Sequence, residues 1–279
     1  MAQDTGLIQV SASSSRLVTT CVSSPRRLAR RIAVLIAGVS LFGCVALTSA
    51  LAGDAAIPAI IGFSKDGRYF AFEEYGTIDA SIHPYSSIFV IDLNTGRAMI
   101  GSPFAVQWDR EGPEEEARAE ARKQAAPLLA KLNIGEQPSA QVIDNAAHLF
   151  DAPTPDRAYE IRAAEGQTLQ IGDVLSKGVI KVKIKALNSA SSACAAAGRS
   201  DAKNFALLRA LAGKPLETVY VDRPAGTERG CSERNGLNAL YAYMPPDKGE
   251  PRLVALVSYW PHRWEEPDRR YLAIPVPLR

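Results

Sequence analysis

Short apolar segments separated by turn residues are the dominant pattern along the chain. Segments of this kind, rich in β-branched and aromatic residues, are typical of β-strands. They predict strands over residues 68–75, 87–93, 141–150, 159–163, 169–171, 179–184, 205–211, 216–221, 237–244, 253–260 and 271–277. The pattern therefore predicts a mainly β fold of the α+β class, built from antiparallel sheets.

One stretch has the three- and four-residue spacing of a helix with one apolar stripe. Pro113 suits the first helical position, and residues 114–116 are glutamates that favour the positive end of the helix dipole. The stripe is formed by Ala117, Ala121, Ala125, Leu128 and Leu132. The sequence thus predicts one helical excursion over residues 113–132, with a kink or a restart at Pro127.

Two of the predicted strands have features of a sheet edge. In residues 181–185 three lysines alternate with two aliphatic residues, which predicts an edge strand kept soluble by charge. A strip that binds a polyanion is the alternative interpretation of these lysines. In residues 272–278 aliphatic side chains alternate with alanine and proline, which predicts a final edge strand.

The first fifty-two residues have the composition of an export signal. Arginines at positions 26, 27, 30 and 31 precede the uncharged run 32–52, which ends in small residues at Ala50 and Ala52. A basic region, an apolar region and a small-residue site in this order indicate a secretory signal peptide. We therefore predict cleavage after Ala52 and a periplasmic or secreted protein that meets the membrane only transiently, through its signal peptide.

Three alternatives to this leader remain open. Residues 32–52 are long enough to stay in the bilayer as a membrane anchor. Residues 41–44 resemble a lipoprotein processing site ending at Cys44, although Phe42 is bulky for it and the apolar run continues beyond. The pair Arg26-Arg27 is a feature of twin-arginine export, although the residues after it fit that route poorly.

Removal of the leader changes the charge of the chain. The whole chain has 32 basic and 30 acidic side chains, and five arginines and one aspartate lie in the leader. The predicted mature chain therefore keeps 27 basic and 29 acidic side chains. This near-neutral balance gives no reason to expect a nucleic-acid partner. Because no linker interrupts residues 53–279, we predict a leader over 1–52 and a single secreted domain over 53–279.

Cys194 and Cys231 are the only cysteines of the predicted mature chain. Two cysteines in an exported protein predict one disulfide bond. Such a bond stabilises the fold by about 4 kcal/mol in the chain-entropy model. Two free thiols, or a metal shared with a histidine, are the alternatives, but no C-x-x-C spacing and no nearby histidine support a metal site.

Motifs that carry known chemistries are absent from the sequence. The histidines, His83, His148 and His262, have no metal-binding spacing, and neither a nucleophile elbow nor a phosphate-binding glycine loop occurs. We therefore predict no metal and no cofactor. Glu73 and Glu74 are adjacent carboxylates, but neighbouring strand residues face opposite sides, which weakens a paired acid–base role. Whether the protein is an enzyme stays open, and no catalytic residue is assigned.

The most suggestive polar cluster lies in a proline-bounded segment near the end of the chain. Its aromatic, basic and acidic side chains have the chemistry to receive a sugar ring or an anionic group. A structural role, in which the acid braces an arginine and the rings cover the core, is the competing interpretation and the favoured one. The candidate binding residues are Trp260, His262, Trp264, Asp268, Arg269 and Arg270.

A recognisable set of turns lies near the start of the mature chain. The turn Ser64-Lys65-Asp66-Gly67 precedes a strand that ends in Ala71-Phe72, and a later strand ends in Asp92, Thr95 and Gly96. In this order the residues resemble one blade of a TolB-type β-propeller over 62–97. No second copy follows, and a propeller needs several repeats. A β-hairpin in some other β fold, with the aspartate and glycine in its turn, is therefore the preferred interpretation.

Further segments extend a resemblance over essentially the whole mature chain. They are residues 62–76, 84–86, 88–92 and 126–129, Cys194 with Gly230-Cys231, and residues 267–270. Together they resemble a family of predicted secreted bacterial proteins known as a domain of unknown function. Residues 257–266 depart from the shorter, glycine-containing loop expected there. The resemblance implies export and one domain, and it carries over no activity, ligand or catalytic residue.

Two functions from different classes remain. Export, a β scaffold, aromatic loops and missing catalytic spacings favour a non-catalytic binding or interaction module of the cell envelope. Its partner would be an envelope protein or a glycan. The alternative is a periplasmic hydrolase that acts on glycans or other envelope components through Glu73 or Glu74 and the tryptophan- and arginine-containing segment 260–271.

Overall fold

The computed structural model describes residues 55–78, 81–135, 141–143, 168–171, 178–187, 191–223, 230–247, 249–262 and 268–279. All of these residues belong to one compact unit, Leu51–Arg279, and the domain boundary after Ala52 stays a prediction. Within these ranges no helix is both long enough and apolar enough to cross a membrane.

The described residues form thirteen strands and two helices. The strands are β1 (Ile57–Phe63), β2 (Tyr69–Ile78), β3 (His83–Asp92), β4 (Arg97–Ala98), β5 (Phe104–Gln107), β6 (Gln141–Ile143), β7 (Thr168–Ile171), β8 (Ile180–Leu187), β9 (Asn204–Ala210), β10 (Glu217–Val221), β11 (Ser232–Tyr243), β12 (Arg252–Pro261) and β13 (Arg270–Pro275). The helices are α1 (Glu114–Lys131) and α2 (Ser192–Ala196). The predicted mainly β fold is therefore confirmed. The predicted strand residues 144–150 and 159–163 lie outside the described ranges.

Three antiparallel sheets organise these strands. Sheet 1 has the order β1-β2-β3-β4, and β5 also pairs with β3. Sheet 2 has the order β10-β9-β8-β7, and sheet 3 has the order β13-β12-β11-β6. Among the described residues every pair of these strands is antiparallel, as the sequence predicts.

Sheet 3 lies between the other two sheets because both of its faces are apolar. One face packs against sheet 1, where the rings of Phe70 and Tyr241 have centroids 5.7 Å apart. The other face packs against sheet 2 through contacts that include Leu207 and Val257. Strand β12 shows the reason in its sequence, since residues 253–257 form an unbroken apolar run and all are buried.

A bulge in β11 keeps apolar side chains on both faces of sheet 3. The register between β11 and β12 shifts between Leu237 and Ala239. Leu237 and Leu240 consequently pack on the sheet 2 side, whereas Ala239 and Tyr241 pack on the sheet 1 side. One extra residue therefore resets the alternation in the middle of a long strand.

Helix α1 covers the outer face of sheet 1. Its buried residues include Ala121 and Ala125, which pack with Ile88 of β3. Pro113 is the N-cap rather than the first helical residue. The predicted helix is confirmed, and it continues through Pro127 as one element without the predicted restart.

The turn between β1 and β2 has the predicted chemistry. The Asp66 carboxylate accepts hydrogen bonds from the Ser64 hydroxyl at 2.6 Å and from the Arg68 amide at 3.0 Å. Gly67 has a φ of 72°, which glycine adopts without strain. The strands on either side belong to a five-stranded sheet, and the resemblance to a propeller blade is not confirmed.

Two edge predictions have opposite outcomes. Strand β8 lies between β9 and β7, so the prediction that its lysines mark an edge is wrong. Lys181 and Lys185 are exposed while Val182 and Ile184 are buried, because one face of sheet 2 meets solvent. The alternation of lysine and aliphatic residues shows which face of the strand meets solvent. It does not show whether the strand pairs with one neighbour or with two. By contrast, β13 ends sheet 3 among the described strands, which confirms the predicted final edge strand.

Candidate ligand-binding cleft

A cleft of about 880 Å³ runs along the free edge of β13. Its lining comes from four parts of the fold: β13 with the residues that follow it, β12 with the residues before it, the inner face of sheet 1, and strand β10 of sheet 2. Because sheet 3 lies between sheets 1 and 2, the edge of β13 forms the floor and the two outer sheets form the walls.

The backbone of the floor offers few hydrogen-bond donors. The amide of Val276 donates to the Leu253 carbonyl at 2.8 Å, which shows that even-numbered residues of β13 direct their backbone groups toward β12. The odd-numbered residues between Tyr271 and Pro277 therefore direct theirs to the free edge. Two of these, Pro275 and Pro277, have no N–H to donate.

Other groups cover the opposite end of this edge. The Tyr271 amide donates to Oε2 of Glu74 at 3.1 Å. Ala56 donates its amide to the Arg269 carbonyl at 3.2 Å and accepts a hydrogen bond from Arg269 Nη2 at 3.1 Å. The edge is thus capped, covered or without donors at most positions, which protects it from pairing with another strand.

The walls of the cleft are mainly aromatic and aliphatic. Phe72 and Phe89 of sheet 1 stack with ring centroids 4.9 Å apart, and both line the cleft. The apolar lining continues through Ile91, Leu93, Val219, Tyr220, Leu272 and Ile274. Such a surface gains free energy by contact with an apolar ligand.

The charged lining residues all lie at one end of the cleft. Glu250 and Arg252 stand at the start of β12, and Arg279 follows β13, which runs antiparallel to it. Arg279 and Glu250 form an ion pair. The Nε atom of Arg252 is buried and has no hydrogen-bond partner among the described residues. At the other end the lining includes Tyr259 and Tyr271 and no charged residue.

The predicted binding residues lie near the cleft without lining it. Trp260 is 5% exposed and packs between sheets 2 and 3. His262 is exposed, and its Nδ1 lies 2.5 Å from Oε1 of Glu233. Trp264 lies outside the described residues. None of the five described candidates lines the cleft, although Tyr259 and Tyr271, next to them in sequence, do.

The acidic and basic members of this cluster bond to the fold itself. Asp268 pairs with Arg270, with Oδ2 and Nη2 3.5 Å apart. Arg270 also donates to the Tyr85 hydroxyl at 3.0 Å. Arg269 is buried at the edge of sheet 3. The contacts agree with the structural interpretation, in which the acid braces an arginine.

Cys194 and Cys231 form the predicted disulfide bond, with their Cα atoms 5.6 Å apart. Cys194 lies in α2, and Cys231 directly precedes β11. A polar network lies beside it, because Arg199 donates to Glu233 at 2.9 Å and Glu233 also contacts His262. The bond therefore links the α2 segment to the start of a sheet 3 strand.

Glu73 is fully buried and bonded to side chains of α1 and β3. Its carboxylate accepts hydrogen bonds from Arg118 Nε at 2.8 Å, Arg122 Nη2 at 2.9 Å and the Ser86 hydroxyl at 3.0 Å. Burial alone raises the pKa of Glu73, but the hydrogen bonds and charges of the two arginines outweigh it and hold the pKa below its ordinary value. Arg118 also lies over the Tyr75 ring, with Cζ 3.6 Å from the ring centroid.

Glu73 and Glu74 face opposite sides of β2, as the sequence predicts. Glu73 faces α1, whereas Glu74 faces sheet 3 and accepts the Tyr271 amide. Neither residue lines the cleft. The two carboxylates therefore have separate partners on separate faces of the sheet.

Arg118 and Arg122, the arginines that bind Glu73, were not identified as its partners by sequence reasoning. Their spacing of four places them on one face of α1, and a carboxylate inside an aromatic strand needs a charged partner. Those two signals together could have paired them with Glu73. The cleft carries no comparable signal, because its lining residues are spread from Phe72 to Arg279.

The described residues contain no group of three or more histidine, cysteine, aspartate or glutamate side chains placed to hold a metal ion.

Comparison with other proteins gives one match. No curated protein and no solved structure matches the chain. A family model described as "Predicted secreted protein (DUF2259)" matches residues 71–277, well over half of the chain. The chain therefore belongs to the DUF2259 family of predicted secreted proteins.

Proposed function

We propose that this protein is an exported, non-catalytic binding protein of the cell envelope whose ligand occupies the cleft beside β13. The observation that carries the proposal is the cleft itself, about 880 Å³, with aromatic and aliphatic side chains along its walls and charged side chains at one end. Small-molecule sites have volumes of roughly 300–1,000 Å³ and a similar character. A rigid three-sheet scaffold holds its walls, so the site exists before the ligand arrives.

Export is part of the proposal. The family is described as predicted secreted, and the leader has the three-part pattern of a signal peptide. The Cys194–Cys231 disulfide supports an oxidising compartment such as the periplasm. N-terminal sequencing of the exported protein should begin at Gly53. A lipid on Cys44, or an intact segment 32–52 in the membrane fraction, would contradict cleavage after Ala52.

The placement of the carboxylates supports binding over hydrolysis. Glycoside hydrolysis by the common mechanisms uses two carboxyl groups on either side of the scissile bond. Glu73 and Glu74, the residues named for the hydrolase alternative, bond to arginines and to a backbone amide away from the cleft. Among the described lining residues Glu250 supplies the single carboxylate, and it is paired with Arg279.

The lining also bears on the expected partner. A glycan presents many hydroxyl groups, which need polar groups as partners when they leave water. The walls of the cleft present mainly phenylalanine, leucine, isoleucine, valine and proline side chains, with Asn94, Thr95 and Tyr220 as their polar members. The cleft therefore favours a ligand with an apolar part over a glycan, which is one of the two kinds of partner expected from the sequence.

A bulky substitution inside the cleft tests the proposal. Ala98 is exposed and lines the cleft, so Ala98→Trp fills the cleft without disturbing the core. Ala105 is an exposed alanine of the same sheet outside the cleft, and Ala105→Trp is the matched control. The exported protein should be screened by thermal shift against peptides, glycans and lipids. A ligand should raise the melting temperature of the wild type and of Ala105→Trp but not of Ala98→Trp, and equal shifts in both variants would refute the site.

A further inference from the structure

The cleft extends along β13 and the residues that follow it. Residues 271–279 line it without interruption along the strand direction. From Tyr271 to Leu278 this is seven residue steps, which at about 3.3 Å per step gives a length of roughly 23 Å. A bilayer hydrocarbon core is about 30 Å thick, so one acyl chain extends about 15 Å. The floor of the cleft is long enough for a single extended acyl chain and its head group.

The lining of the cleft is charged at one end and carries no charged side chain at the other. The charged end holds the side chains of two arginines and one glutamate, Arg252, Arg279 and Glu250, so its basic side chains outnumber its acidic ones by one. Arg279 is already paired with Glu250. Arg252 lines the cleft at this end, so its guanidinium group is placed to donate to a ligand that brings an anionic acceptor.

The backbone of the floor disfavours an extended peptide. Addition of a strand to a sheet edge needs alternating amide donors and carbonyl acceptors. Pro275 and Pro277 have no amide hydrogen, and Glu74 already accepts that of Tyr271. An acyl chain makes no such demand, because it needs only apolar contact.

We propose that the cleft binds a single-chain amphiphile with an anionic head group, of which a long-chain fatty acid is the simplest example. The tail lies along β13 between Phe89 and Tyr220, and the head group bonds to Arg252 at the charged end. This inference rests on the proposed function, and it assigns the class of ligand and its direction in the cleft.

Head-group charge and Arg252 provide the first test. The exported protein is titrated with palmitate and with palmityl alcohol, which has the same chain and a neutral head, below the concentration at which either aggregates. Palmitate should bind the wild type roughly tenfold more tightly than the alcohol, the size of one charge-assisted hydrogen bond. Arg252→Gln should remove this difference. Arg234→Gln, at a half-buried arginine of the neighbouring strand outside the cleft, should keep it.

The cleft variants separate failure of this inference from failure of the proposed function. Palmitate should bind Ala105→Trp as it binds the wild type and should not bind Ala98→Trp. Equal affinity for acid and alcohol, or equal effects of Arg252→Gln and Arg234→Gln, would overturn the anionic assignment. If palmitate and the alcohol bound equally and Ala98→Trp abolished the binding of both, the cleft would still be the binding site. No binding of either compound, with another ligand blocked by Ala98→Trp, would overturn the amphiphile and leave the proposed function intact.

Discussion

Glu73 shows how one buried charge fixes a helix to a sheet. The fully buried residues that α1 presents to sheet 1 are alanines, which bury little apolar area each. The carboxylate adds a bidentate hydrogen bond to Arg118 and a further one to Arg122, both on α1. A buried carboxylate without such partners would be strongly unfavourable, so the helix and the strand depend on each other.

Substitution of Glu73 by glutamine should therefore weaken the fold. Glu73→Gln keeps the shape but removes the charge that both arginines need, and we expect a loss of about 2–3 kcal/mol in the free energy of unfolding. Urea unfolding of the exported protein measures it. Glu120→Gln removes an exposed carboxylate of the same helix and should change stability by less than about 0.5 kcal/mol. Similar midpoints for the two variants would contradict the role of Glu73.

The lowered pKa of Glu73 leads us to expect that the free energy of unfolding depends on pH. The pKa of Glu73 is lowered from 4.5 in the folded state, so its contribution is complete above the unfolded pKa and is lost as the pH falls through the folded pKa. Wild-type stability should fall as the pH decreases below about 4.5. In Glu73→Gln this fall should be smaller, because one linked carboxyl is gone. Parallel stability curves for the two proteins would show that Glu73 is not linked to folding.

The position of each strand and helix along the chain follows from the local sequence. The order in which the strands pair in the sheets does not. The strand and helix positions are set by segments such as 253–257 and by the alanine spacing of α1. Sheet order joins residues far apart in the chain, and the error at β8 arose because its lysines report only the exposed face of sheet 2. At β13 the prediction succeeded, since proline acts on hydrogen bonding itself and excludes an inner strand.

The prolines of the β13 edge should keep the protein from self-association. Pro275→Val combined with Pro277→Val restores two amide donors at the free edge of β13. The double variant should sediment faster as its concentration rises, because an exposed donor and acceptor row pairs with other chains. Pro251→Val changes a cleft proline outside β13 and should leave the protein unchanged. Concentration-independent sedimentation of the double variant would contradict this function of the prolines.

The cleft is a property of the whole molecule. It arises where sheet 3 ends at β13 while the sheets on either side continue as walls, and no single segment encodes it. Tyr259 and Tyr271 line the cleft, and they lie directly next to Trp260 and Arg270, the first and last residues of the binding segment suggested by the sequence. That suggestion missed the cleft because the Trp260 side chain packs into the core between sheets 2 and 3. The direction of a side chain in a strand buried on both faces depends on packing that a linear pattern does not contain.

The disulfide bond joins the segment that precedes sheet 2 strand β9 to the start of sheet 3 strand β11. Between Cys194 and Cys231, 37 positions apart, the chain builds β9 and β10 of sheet 2, and Cys231 then enters β11 of sheet 3. Closing a loop of this size restricts the unfolded chain, so Cys194→Ala with Cys231→Ala should lower the free energy of unfolding by about 3–4 kcal/mol. Urea unfolding of the wild type in reductant should show a similar loss, while the same reductant should not affect the double variant. If reductant left the wild-type midpoint unchanged although the thiols titrated as free, the packing between sheets 2 and 3 would hold without the bond, and the oxidising compartment would not be needed for stability.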